Sequence, residues 1–100
     1  MVLTSEKLDT KLAPDLKSQF IILANDSASG HLIVDLGTVT FADSSGLSAL
    51  LLAHRLYRDT ERRLILCNLS DRVYKLIEIS QLTSVFSLAE HLDAALEQIG

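Results

Sequence analysis

Residues His31–Cys67 read HLIVDLGTVTFADSSGLSALLLAHRLYRDTERRLILC. His31–Leu36 (HLIVDL) is a compact apolar run, too short for a helix of ordinary length. It predicts a strand buried on both faces, as in parallel sheets. Arg63–Cys67 (RLILC) predicts a second such strand. Between them, Asp43-Ser44-Ser45-Gly46 offers helix-capping side chains, and an apolar helix runs to about Asp59. Within it Ala49, Leu50, Leu52, Ala53, Leu56 and Tyr57 share one broad face at 100° per residue. Ser48, Arg55 and Asp59 form the polar stripe. A strand, a helix and a second buried strand make a parallel unit with a right-handed crossover.

The same alternation extends outward. Gly37–Ala42 is a connection carrying the β-prone residues Thr38, Val39, Thr40 and Phe41. Upstream, Met1–Thr4 is apolar enough for an edge strand. Asp9-Thr10 and Pro14 open a helix with Leu16, Phe20 and Leu23 on one face. Residues 25–30 (NDSASG) read as the loop that stops it. Downstream, Asn68-Leu69-Ser70-Asp71 caps a helix that turns Val73, Leu76 and Ile77 inward. Val85-Phe86 reads as a short last strand. Ser87 and Glu90 then match a capping box before a helix with Leu88, Leu92, Leu96 and Ile99 on one face. The predicted class is α/β: a small, mostly parallel sheet of about four strands with interleaved helices.

Composition sets the bounds. The 100 residues include twenty leucines, seven isoleucines, five valines and three phenylalanines, enough for one core and one domain. Hydrophobic residues are 48% and charged residues 22%, a globular balance. The formal charge of −4 and the lack of any basic cluster beyond Arg62-Arg63 argue against nucleic acid. No apolar run approaches the roughly 20 residues of a spanning helix, and the opening MVLTSEK does not resemble a signal peptide. Cys67, the single cysteine, can form neither an internal disulfide nor a zinc site, and fits a small core residue in a reducing cytoplasm. No cofactor or metal motif is present.

The one cluster with chemical possibilities is Asp43-Ser44-Ser45-Gly46-Leu47. A helix N-terminus leaves N–H groups unpaired and suits an anion such as phosphate. A serine there can receive a phosphoryl group and gain nearly two negative charges. Gly46 permits close approach to the backbone. The plainer reading is that the cluster is only a cap. Leu47 and Leu51 fall outside the main apolar arc, and either form a docking patch beside the serines or are buried by neighbours. As a nucleophile Ser44 would need a base within about 3 Å. His54 is roughly 15 Å along the same helix. His31 starts a strand and His91 belongs to the last helix. No catalytic residue is assigned and the chain reads as a non-enzyme.

At Val39–Leu47, VTFADSSGL, the sequence resembles the signature of the STAS family, which includes the bacterial anti-sigma factor antagonists. Leu8-Asp9 with Ala13-Pro14-Asp15-Leu16 is similar to the family's opening segment. Leu64–Ser70 (LILCNLS) and Glu78–Phe86 resemble later conserved stretches. The resemblance implies that Ser44, directly after the signature aspartate, is the phosphoacceptor. It implies a partner that is an anti-sigma factor with serine-kinase activity, and a serine phosphatase that reverses the modification. Asp9, Asp43, Ser45, Gly46, Leu47 and Leu51 become the expected partner-binding residues. The alternative within the family is an unphosphorylated STAS subunit of a transport or signalling complex. Two departures stand out. Eight residues precede Asp9, so an N-terminal strand is expected to be missing or shortened, leaving an open sheet edge that favours dimerisation. Gln81 replaces a turn glycine, so that helix is expected to end without its usual left-handed residue.

Overall fold

The computed structural model describes residues 1–26, 28 and 30–99. Two positions of the predicted loop, Ser27 and Ser29, lie outside the described residues. The elements are β1 (Lys7–Leu8), α1 (Ala13–Asn25), β2 (Leu32–Asp35), β3 (Phe41–Ala42), α2 (Ser44–Asp59), β4 (Leu64–Cys67), α3 (Asp71–Ile79), β5 (Ser87–Ala89) and α4 (Leu92–Ile99). Every strand pairing among them is parallel, as the βαβ alternation requires.

The two apolar runs of the sequence pair with each other in register, from Leu32 opposite Leu64 to Asp35 opposite Cys67. β5 adds on the far side of β4, giving the order β2-β4-β5. All four residues of β4 are buried, which is why that segment reads as an unbroken apolar run. Its side chains alternate between two layers. Leu64 and Leu66 join a cluster with Phe20 of α1 and Leu50 and Tyr57 of α2. Ile65 and Cys67 pack with Ala89 and with Ala95 of α4. The sheet therefore carries α4 on one face and the α1–α2 pair on the other.

Several local expectations shift. The edge strand at Met1–Thr4 reduces to one parallel bridge, Val2 opposite Asp35, held by Leu3 N–H to Asp35 O at 3.1 Å and Asp35 N–H to Met1 O at 2.8 Å. The connection Gly37–Ala42 contains β3, which pairs with β1 in a separate two-stranded sheet: Lys7 opposite Phe41 and Leu8 opposite Ala42. The buried face of α1 is Ala13, Leu16, Phe20 and Ala24, with Leu23 only half-buried.

The last strand is Ser87–Ala89 rather than Val85-Phe86, because Ser87 pairs with Ile65. Ser87 thus cannot cap the final helix. His91 does so: its Nδ1 accepts from Ala94 N–H at 3.2 Å and its carbonyl from Ala95 N–H at 3.1 Å. With Leu88 taken into the sheet, α4 buries Ala95 and leaves Leu92 and Leu96 46% and 52% exposed. At the end of α3 the left-handed residue is kept after all. Gln81 adopts φ 61°, with Gln81 N–H bonded to Glu78 O and Leu82 N–H to Ile77 O, both at 3.0 Å. That is the two-bond Schellman pattern, closed by a glutamine.

Candidate functional site

The short β1–β3 ladder builds the site. Pairing Leu8 with Ala42 brings the residues that follow them, Asp9 and Asp43, to the same end. Asp43 N–H donates to Leu8 O at 3.1 Å. Asp43 is extended at φ −120°, and its Oδ1 accepts from Gly46 N–H at 3.0 Å. This is a side-chain N-cap, and Leu47 N–H to Asp43 O at 3.0 Å begins the helical ladder. Asp43 thus caps α2.

Asp9 comes to the site region, but its carboxylate is occupied locally. Oδ1 accepts from Lys11 N–H at 3.1 Å and Leu12 N–H at 3.2 Å, closing the turn into α1. Thr10, which the sequence suggests only as a capping residue, bridges the two halves. Its hydroxyl lies 3.4 Å from Asp43 Oδ2 and 3.3 Å from Ser45 Oγ. Ser45 is thereby engaged. Ser44 is not: it is exposed at the first turn of α2, and no side chain or backbone group among the described residues bonds its hydroxyl.

Gly46 is buried, and what approaches it is the chain's own β1. A Cβ there would stand 2.1 Å from Leu8 O. Leu47 is 7% exposed and belongs to the core cluster, with Leu51 half-buried against it. Burial by neighbours holds for Leu47, whereas Leu51 stays partly exposed. Gly46 and Leu47 shape the site from beneath.

A hollow of about 450 Å³ opens between the starts of α1 and α2, bordered by Thr10, Pro14, Lys17, Ser44, Ser45 and Ser48. Lys17 escaped the sequence reading because it comes from the other helix. Its only signal was its spacing: it stands three residues after Pro14 on the face of α1 turned to α2.

The histidines serve elsewhere. His54 packs edge-on against Phe86, with ring centroids 5.9 Å apart. His31 Nδ1 accepts from Arg63 N–H at 2.8 Å, and His91 caps α4. Burial, and then the Asp35 carboxylate, push the Cys67 thiol up, as suits a core residue. Among the described residues no helix is long and apolar enough to cross a membrane.

Residues 1–95 match the STAS domain model. The chain belongs to the STAS family. A relative from Bordetella bronchiseptica named an anti-sigma factor antagonist, BtrV, is 30% identical over 91 residues, covering 91% of this chain and 71% of its own. Among solved structures, a Thermotoga maritima protein also named an anti-sigma factor antagonist superposes with a TM-score of 0.88 at 17% identity. That match covers 98% of this STAS chain and 85% of the other. The unphosphorylated form of the anti-sigma factor antagonist SpoIIAA gives 0.72 at 19%, covering 93% and 81%. At such identities the superpositions establish the STAS fold and nothing finer.

Proposed function

We propose that this STAS domain is an anti-sigma factor antagonist: a binding module that docks on an anti-sigma factor with serine-kinase activity and is released when Ser44 is phosphorylated. The similarity to BtrV supports the general role. The observation that carries the finer reading is the contrast between adjacent serines. Ser45 is tied to Thr10, whereas Ser44 presents a free, exposed hydroxyl on the signature helix.

In the proposed step the terminal phosphoryl group of ATP passes to Ser44 Oγ. The bond to ADP breaks, and the hydroxyl proton goes to a base on the kinase. Hydrolysis of the new ester by a serine phosphatase returns the hydroxyl. The domain is substrate and switch, not an enzyme. A phosphoserine carries about −1.5 to −2 charges at pH 7. In the first turn of α2 the helix dipole favours that charge, so the helix need not melt. The effect falls on the contact surface, where a dianion placed in the interface disfavours docking by charge repulsion and by its cost of desolvation. Asp9, Asp43, Ser45 and Leu51 complete the proposed contact, with Gly46 and Leu47 supporting it from below. The same reading places the chain in the cytoplasm as one domain, with its open sheet edge available to a second copy.

The test is to incubate the protein with ATP and the candidate kinase from the same genome, then measure intact mass with fragment mapping. One phosphoryl group on Ser44, binding kept by Ser44→Ala and weakened by Ser44→Asp, is the expected result. Equal binding by both variants sinks the switch. A stable complex that never gains phosphate moves the assignment to an unphosphorylated structural subunit.

A further inference from the structure

The hollow beside Ser44 is lined by a cationic side chain that bonds no group among the described residues. Lys17 is half-buried in the second turn of α1 and lines the hollow with Pro14. Among the described residues the one ion pair is Arg58 with Asp59, so the Lys17 ammonium has no carboxylate partner. The opposite rim carries Ser44 and, one turn along α2, Ser48, which is also exposed. The carboxylates at this end of the site are engaged: Asp43 by Gly46 N–H and Thr10, Asp9 by Lys11 and Leu12 N–H.

We infer that Lys17 is the counter-cation of the switch, holding the phosphoryl group of phosphorylated Ser44 in the hollow between α1 and α2. This rests on Ser44 being the phosphoacceptor and adds what receives the modification. A flexible lysine stem delivers a compact ammonium to a phosphate oxygen. The hydroxyl of Ser48 stands on the same rim as Ser44 as a further donor. The phosphoryl group then turns toward α1, away from Asp43, and the altered surface spans both helices.

A cation beside the phosphate favours its dianionic form and lowers its second pKa from about 6. The test uses full-length protein with phosphoserine placed at position 44 during translation, so no kinase is required. The second pKa is followed by phosphorus NMR in the wild type, Lys17→Gln, Lys17→Met and Lys17→Arg. The wild-type value is expected to lie below those of the Gln and Met variants by about half a unit or more, with Arg restoring most of the shift. Equal thermal midpoints of the unmodified proteins separate this from a packing role for the lysine stem. A second pKa that is the same in all four overturns the role of Lys17 and leaves the kinase switch standing. Absence of phosphate transfer by the kinase overturns the switch itself and leaves the titration unaffected.

Discussion

Gly46 and the backbone of Leu8 are so close that no side chain fits between them. A Cβ at position 46 would stand 2.1 Å from the Leu8 carbonyl oxygen and 2.6 Å from its Cγ. That oxygen also accepts the Asp43 N–H, so it cannot retreat without disturbing the cap. Alanine would gain about 1 kcal/mol of helix propensity over glycine. The clash is with backbone and wins. Gly46→Ala is expected to destabilise the fold by about 3 kcal/mol, read as a fall in the urea midpoint. A midpoint at or above the wild type would show that β1 does not press on α2.

Arg62 ties three segments together. Its guanidinium lies 4.6 Å from the centroid of the Tyr57 ring and bonds the carbonyls of Ala24, Asp26 (3.2 Å) and Gly30 (3.5 Å). Its Nε donates to Thr60 Oγ1 at 2.8 Å. A lysine keeps the charge but cannot make a planar fork. Arg62→Lys is expected to cost about 1–2 kcal/mol in urea unfolding, despite its conservative chemistry. No measurable change would mean that the fork contributes only surface contacts.

His54 gives stability a pH dependence of known sign. Burial against Phe86, and then the Arg58 and Arg55 charges, hold its pKa below the ordinary 6.5. The unfolded chain therefore takes up this proton first. Stability is complete above about pH 6.5 and falls as the pH drops through 6.5 toward the folded value. His54→Gln is expected to flatten the change in urea midpoint between pH 7.5 and 5.5. An identical slope in both proteins would remove His54 as its source.

Gln81 pays a steric penalty at φ 61° that glycine would not. A left-handed non-glycine residue costs roughly 1–2 kcal/mol, partly offset by the greater freedom of glycine in the unfolded chain. Gln81→Gly is expected to raise stability by about 1 kcal/mol, seen as a higher thermal midpoint with unchanged helix content. A drop would place the value of Gln81 in its side chain.

What the sequence reveals and conceals here follows from range. Leu64–Cys67 reads directly as a buried strand because each residue is apolar and all four are covered. Asp43 reads as a cap because its bond to Gly46 spans three residues. Lys7–Leu8 and Phe41–Ala42 are too short to carry periodicity, and each exists only through the other. Ser87 matches a local capping pattern, yet its pairing with Ile65 prevails. In the site, Ser44, Asp43 and Ser45 are contiguous and legible. Thr10, from the turn before α1, and Lys17, from α1, arrive through tertiary packing, which no local motif records.

The sixteen residues of α2 separate Ser44 from the Arg62 junction by about 22 Å. Among the described residues the hydroxyls of the exposed Ser44 and Ser48 form no hydrogen bond, whereas the far end anchors α1 and the entry to β2. The proposed switch hydroxyl thus sits at one end of the rod and the Arg62 junction at the other. A duplicated copy of such a domain can drift to a new interlocutor by exchanging a few surface hydroxyls and keep its melting temperature while doing so.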